Sequence, residues 1–285
     1  MTSPVHHPIL LERVRTSRLL GADPSLVLHG GGNTSAKGVV KSIHGEDLEV
    51  IWIKGSGWDL ATIEVEGFPA CDLAALRALR PLEAMTDEEM VREVRRCMLD
   101  TTAPTPSIEA LLHAFLPHRF IDHSHADAII AISNREDGEA ICRDVFGDRV
   151  VYIPYIMPGF PLAKAVADAV DSHPDVHGAL LHQHGLFTFG ETADEALDLH
   201  REFVDLASAR YAKGTRAVQG SQGEGRHISS TIMGPLRKLV SASRPMVLET
   251  RAHPWLLAAL DDPDAKGTLC TPSLTPDHTI RTKPW

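Results

Sequence analysis

Residues 6–21 carry Ile9, Leu10, Val14 and Leu19 among charged and polar neighbours, a spacing that predicts an amphipathic helix with Gly21 as its C-cap. The pattern then changes. "SLVLHGGG" predicts a short strand running into a glycine turn, and "VVKSIHGEDLEVIWIKGSG" predicts a hairpin turning at His44-Gly45-Glu46-Asp47. "TDEEMVREVRRCML" opens with a capping box from Thr86 to Glu89 and continues as a helix. "PTPSIEALLHAFLP" predicts a second helix that stops near Pro117. "FIDHSHADAIIAI" begins as a buried strand, and "VHGALLHQHGLFTFG" reads as a strand followed by a turn. A second capping box, T-A-D-E from Thr192, starts a long helix to about Ala212. "GTRAVQGSQGEGRH" is linker by composition. Residues 228–285 predict an extension of one helix, one short strand, one short helix and a proline-bearing tail. Strand signals interleaved with helices indicate a three-layer α/β domain. The expected organisation is a domain over residues 1–214 and a linker with C-terminal extension over 215–285.

Composition narrows the function classes. Of 285 residues, 43% are hydrophobic and 23% charged, which is ordinary for a globular chain. A net charge of −10 argues against a broad electrostatic grip on nucleic acid, while leaving room for a local anion pocket built from backbone amides. No segment has the length and apolarity of a membrane span. Cys71, Cys97, Cys142 and Cys270 form no C-x-x-C pair, so a reduced, cytoplasmic protein is expected. Histidine is unusual, with 16 copies, many of them in two groups: His113, His118, His123 and His125, then His173, His177, His182 and His184.

Within the first group, His123-Ser124-His125 is the sharpest local signal. Residues two apart on a strand project to one face, so two imidazoles converge. A catalytic metal site of this kind needs a third ligand, and His182 and His184 compete for it on the same geometric grounds. Glu109 lies at the start of the "PSIEALLH" helix, where a carboxylate is favoured by the helix dipole and where Ser107 adds a contact for an anion. "KGSG", Lys54 to Gly57, is a second glycine turn carrying a lysine and a hydroxyl. Neither glycine stretch has phosphate-loop or dinucleotide-fold spacing. His29-Gly30-Gly31-Gly32 also fits an esterase oxyanion loop, but no G-x-S-x-G nucleophile elbow follows.

Taken in order, GGGNTS, KGSG, PSIE, HSH and HQHGLFTFG resemble the class II aldolase/adducin family over roughly residues 10–213. The resemblance implies an α/β/α fold with a mainly antiparallel central sheet. It implies phosphate contacts at Gly32, Asn33, Ser35, Lys54, Ser56, Gly57 and Ser107, with Ile108 standing where the family has a second serine. Glu109 takes the place of the catalytic acid/base. His123, His125 and His184 take the places of the metal ligands, which selects His184 over His182. The implied ion is one Zn2+ per chain, with Mn2+ or Co2+ as substitutes.

The short Glu109–His123 spacing and the tail "TPDHTIRTK" look closest to the aldolase half of bifunctional rhamnulose-phosphate aldolase/dehydrogenases. In that tail His278, Arg281 and Lys283 are candidates either for a substrate contact or for solvating a docking strand. The implied activity is metal-dependent cleavage of a ketose 1-phosphate, L-rhamnulose 1-phosphate in the first instance, to dihydroxyacetone phosphate and lactaldehyde. The alternatives are a 4-epimerase or dehydratase on the same fold, or an adducin-like binding module. The implied partners are a small sugar phosphate and further copies of the chain, a homotetramer by resemblance, with neither nucleic acid nor membrane.

Overall fold

The computed structural model describes residues 7–212, 230–249, 254–263 and 273–281, together with 265, 267 and 271. Seven strands, β1 (Asn33–Lys41), β2 (Asp47–Ile53), β3 (Ala70–Asp72), β4 (Phe120–Ser124), β5 (Val150–Ile153), β6 (Gly178–Leu181) and β7 (Gly185–Gly190), form one sheet. Their order is β3-β2-β1-β4-β7-β6-β5. Every neighbouring pair is antiparallel except β5–β6. The helices of this unit are α1 (Pro8–Gly21), α2 (Leu73–Arg77), α3 (Asp87–Arg96), α4 (Ala110–Phe115), α5 (Asp127–Ser133), α6 (Gly138–Phe146), α7 (Phe160–Ser172) and α8 (Ala193–Ala212). The extension holds α9 (Ser230–Val240), α10 (Pro254–Leu260) and α11 (Pro276–Arg281). Residues 7–212 and 273–281 belong to one compact unit, and the described residues between 230 and 271 to a second.

Side-chain alternation divides the core into two layers, because successive strand residues point to opposite faces. On β2, Ile51 and Ile53 pack with Leu76, Leu111, Phe115, Phe160 and Val166, under α2, α4 and α7. Val50 and Trp52 pack instead with Leu10, Leu20 and Phe120, on the side of α1, α5, α6 and α8. All four β2 residues are fully buried, which is why this strand reads as an unbroken apolar run rather than an alternating one. The three-layer α/β expectation is met. Both capping boxes form: Thr86 Oγ1 accepts from Glu89 N–H at 3.2 Å while Glu89 Oε2 accepts from Thr86 N–H at 2.9 Å, and Thr192 Oγ1 accepts from Glu195 N–H at 3.1 Å.

Four local expectations are corrected. Residues 25–28 form no strand: the Asp23 carboxylate accepts from Ser25 N–H and Oγ–H at 2.9 and 2.7 Å, a local turn that competes with extension. His29, Gly30 and Gly32, at φ 43°, 93° and 58°, then keep the chain irregular until β1 begins. α1 buries Leu20 and leaves Leu19 42% exposed; Gly21 is its last residue, and a Cβ there would collide with the backbone of Leu60 and Ala61. The "PSIE" helix begins only at Ala110, because Gly55 bridges Pro106 and Ser107 N–H donates to the Lys54 carbonyl, holding 105–107 extended. The expected tail strand is absent among the described residues, which form α11 there instead. The expected linker, 214–227, lies outside the described residues. Among those described, no helix is long and apolar enough to cross a membrane.

β4 turns a row of polar side chains into the second layer. Asp122 pairs with Arg13 of α1 at 2.5 Å, both fully buried, and Ser124 Oγ lies 2.6 Å from His200 Nε2 on α8. Burial pushes His200 down to about 3, and burial also holds His113 well below the usual histidine range. Both are therefore neutral in the fold and protonated at about pH 6 in the unfolded chain. The unfolded state binds more protons below about pH 6.5, so stability is complete above that value and is lost as pH falls toward 3. Each such histidine contributes a slope of about 1.4 kcal/mol per pH unit. Denaturant titrations in the presence of chelator at pH 7.5, 6.5, 5.5 and 5 should show this decline, with a shallower slope in His200→Gln. A flat profile from pH 7.5 to 5 would contradict it.

Candidate metal centre and acid–base site

The same alternation aims the opposite set of β4 residues at the layer of α4. Ile121 and His123 share that face, and His125 follows it one residue past the strand end. His123 stacks on Phe187 of the neighbouring strand, ring centroids 4.0 Å apart, and its Nδ1–H donates to the Leu186 carbonyl at 3.0 Å. That fixes the tautomer and presents Nε2. His184 arrives from the tight turn between β6 and β7, where Gln183 takes φ 56°. Gly185 makes the approach possible, since a Cβ there would collide with the Ser124 carbonyl and crowd the His123 and His125 rings. The ligand nitrogens of His123, His125 and His184 all lie within 4.8 Å of one another, and the three residues are buried.

This donor set suits a cation. His125 Nδ1 lies 2.6 Å from Asp277 Oδ1 and donates to it, so His125, like His123, carries its proton on Nδ1. The two Nε2 lone pairs then face each other at 3.1 Å, a repulsive arrangement that a positive ion relieves. Burial pushes both His123 and His184 below the usual histidine range; the neighbouring imidazoles add to it, and for His184 the Glu109 carboxylate opposes it. Neutral imidazoles are the form a metal binds, so these two ligands are prepared for an ion by their burial. Two buried polar atoms at the site, Glu109 Oε1 and His184 Nδ1, have no hydrogen-bond partner among the described residues. Glu109 reaches in from the N-cap of α4, with Oε2 3.4 Å from His123 Nε2 and Oε1 3.3 Å from His184 Nε2.

Glu109 is held by a buried chain of hydrogen bonds. Asn33 Nδ2–H donates to Glu109 Oε2 at 2.5 Å, and Asn33 Oδ1 accepts from His113 Nε2–H at 2.5 Å. Ser35 Oγ–H then donates to His113 Nδ1 at 2.8 Å. Asn33 and Ser35 share one face of β1, and His113 lies one helical turn beyond Glu109. Every member has a partner, so the network holds one carboxylate orientation rather than several.

The three turns expected at a phosphate are tied together. Lys54 Nζ–H donates to the carbonyls of Gly30 and Gly32 at 2.6 and 3.0 Å, with only 3% of the residue exposed. Ser56 N–H donates to Thr105 O, and Ser107 N–H to Lys54 O, at 2.7 and 2.9 Å. Gly32 at φ 58° passes so close to the His123 carbonyl that a side chain would not fit. Of the seven residues, Asn33, Ser35 and Lys54 are buried and engaged inside the protein. Ser56 and Gly57 are exposed, and Ser107 is partly exposed, with its Oγ accepting from Glu109 N–H at 3.3 Å.

His182 goes elsewhere: its Nδ1 lies 2.7 Å from the Tyr152 hydroxyl and 3.1 Å from the Ser133 carbonyl. Two contributors escaped the sequence reading. His113 was readable from its i, i+4 spacing to Glu109. Asp277 carries no such signal, being 152 residues from His125; the tail residues with candidate chemistry in the sequence are its neighbours. Of these, His278 is exposed with its Nδ1 3.1 Å from Thr275 Oγ1; Lys283 and the Arg281 side chain lie outside what is described.

Comparison with known proteins places the chain in a family. A family model for the Class II Aldolase and Adducin N-terminal domain matches residues 12–211. The chain is 37% identical over 281 residues to "Uncharacterized oxidoreductase YuxG" of Bacillus subtilis (strain 168), covering 95% of this chain and 41% of that protein. It therefore spans about two fifths of that relative's length. Among solved structures, the N-terminal Class II Aldolase domain of a conserved protein from Thermoplasma acidophilum is 40% identical, with a TM-score of 0.68 over 74% of this chain and 96% of that one. YgbL of Klebsiella pneumoniae, described as a putative aldolase/epimerase/decarboxylase, shares the fold at 18% identity and a TM-score of 0.52, over 80% of this chain and 97% of its own. With its fold, its histidine cluster and a family match over most of its length, the chain belongs to the class II aldolase/adducin family.

Proposed function

We propose that the chain is a divalent-metal-dependent aldolase that cleaves a ketose 1-phosphate, with L-rhamnulose 1-phosphate as the substrate and dihydroxyacetone phosphate and lactaldehyde as the products. The observation that carries this is the meeting of three buried imidazoles with a carboxylate that is held by its own hydrogen-bond chain. His123, His125 and His184 would hold the ion, Zn2+ first and Mn2+ or Co2+ as substitutes. When bound, the ion supplies Lewis acidity at the C2 carbonyl oxygen.

The residues of the chain perform the rest. Cleavage of the C3–C4 bond leaves the electron pair on the dihydroxyacetone phosphate half, and the C4 hydroxyl loses its proton as the aldehyde forms. Glu109 in its acid form delivers to C3 the proton that completes dihydroxyacetone phosphate, which balances the one lost from the C4 hydroxyl; this general acid step demands a fixed carboxyl group. Asn33 provides that fixity by holding Oε2, which leaves Oε1 toward the reacting face. Ser56, Gly57 and Ser107, at the accessible rim, are assigned to the phosphate. Gly32, Asn33, Ser35 and Lys54 act from beneath, shaping the floor on which those contacts rest. The oxidoreductase in the name of the Bacillus relative is assigned to the larger part of that protein that this chain does not cover. A homotetramer in the cytoplasm completes the proposal.

Metal-loaded protein given L-rhamnulose 1-phosphate should release dihydroxyacetone phosphate, chelator should stop it, and restored metal should revive it; loaded protein that never cleaves would overturn the aldolase reading. Glu109→Gln should retain the ion while turnover falls about 10²–10⁴-fold, and wild-type rates there would remove Glu109 from the mechanism. His125→Ala should lose ion and activity together, so an active, metal-free variant would end the metal assignment. Asn33→Leu tests the relay: turnover should drop at least about tenfold with metal content unchanged. If kcat stays within twofold, Asn33 does not position Glu109.

A further inference from the structure

One carboxylate of the C-terminal segment makes three contacts at the metal centre. Asp277, 5% exposed at the start of α11, accepts from His125 Nδ1–H through Oδ1 at 2.6 Å. Its Oδ2 accepts from Leu28 N–H at 2.8 Å. It lies against Gly31 so closely that a Cβ at that glycine would overlap Oδ1. The glycine run that opens the domain therefore has an occupant within the chain: Gly31 is bare where the Asp277 carboxylate seats. Thr275 beside it is buried too, and its carbonyl accepts from His278 N–H at 3.3 Å, closing the first turn of α11. None of it falls within residues 12–211, where the family model matches.

We propose that residues 273–281 are a working part of the metal centre and that Asp277 is the positioning residue for His125. By accepting from Nδ1–H, Asp277 fixes the ring plane and turns Nε2 toward His123 and His184. A carboxylate behind an imidazole also raises the basicity of the ligating nitrogen. Coupling of this kind is reciprocal: metal binding strengthens the hold on the segment, as the docked segment strengthens the hold on metal. The proposal depends on the metal-site reading of the three histidines and not on the identity of the substrate.

The test measures metal affinity directly, by zinc competition against a chromophoric chelator and by the visible spectrum of the Co2+-loaded full chain. Asp277→Ala should weaken zinc binding about 10–100-fold and alter the cobalt spectrum. Asp277→Asn, which keeps an acceptor for His125 but loses the charge, should fall between that variant and wild type. Gly31→Ala keeps the aspartate but occupies its seat, so it should weaken binding as Asp277→Ala does, and the double variant should be no worse than either alone. If Asp277→Ala does not fold, the Asn and Gly31 variants carry the test. Zinc should also slow amide exchange across 273–281 in the wild-type protein and not in His125→Ala. Zinc affinity within twofold of wild type in folded Asp277 variants, an unchanged cobalt spectrum, or exchange in 273–281 indifferent to zinc would each overturn the proposal. A chain that shows these effects yet cleaves no sugar phosphate would keep this inference and lose the aldolase reading.

Discussion

Two imidazoles, those of His123 and His125, held with Nε2 lone pairs pointed at one another are an unstable arrangement, and the architecture around β4 exists in a form that imposes it. The constraint is met by proton placement. His123 Nδ1–H donates to a main-chain carbonyl of the adjacent strand and His125 Nδ1–H donates to Asp277, so both Nε2 atoms are left as acceptors at 3.1 Å. Burial then removes the cheapest remedy, which is protonation, by holding His123 and His184 below the usual histidine range. What remains is a site whose electrostatics favour a metal cation over a proton.

The sheet supplies the positions. A strand covered on both faces points alternate residues into separate layers, and β4 uses both sets for polar work: Asp122 and Ser124 are structural, while His123 and His125 look the other way. Ion-pairing Asp122 to Arg13 inside the core is costly in desolvation and leaves little freedom to either partner, since removing one would strand a buried charge. Its consequence for the site is a strand and a first helix held in one register. β1 repeats the division, with Thr34 bonded to Ser17 of α1 at 2.7 Å and Asn33 and Ser35 turned toward Glu109 and His113.

How much of this could be read from the chain follows from the range of each interaction. The two-residue spacing of His123 and His125 and the periodicity of α3 and α8 are local, and they survive folding unchanged. The choice between His182 and His184 rests on resemblance, through the place of His184 immediately before Gly185-Leu186; in the structure a left-handed Gln183 and the bare Gly185 turn one ring in and the other toward Tyr152. The stretch at 25–32 misleads because its apolar residues anchor a loop whose shape is set by the Asp23 carboxylate and left-handed backbone, neither visible as periodicity. Lys54 reads as a charge for a ligand but is consumed by two carbonyls beneath the glycine turn. Asp277 is legible only in three dimensions, where it meets His125 and Leu28 across 152 and 249 residues of chain.

X-ray absorption at the metal edge of the zinc-loaded full chain tests the central claim most directly, because it counts and identifies ligand atoms without substrate or turnover. The account predicts a first shell of nitrogen and oxygen at about 2.0–2.2 Å, with outer-shell scattering from three imidazoles and no sulfur. A shell containing sulfur, or one with fewer than three imidazoles, would contradict it.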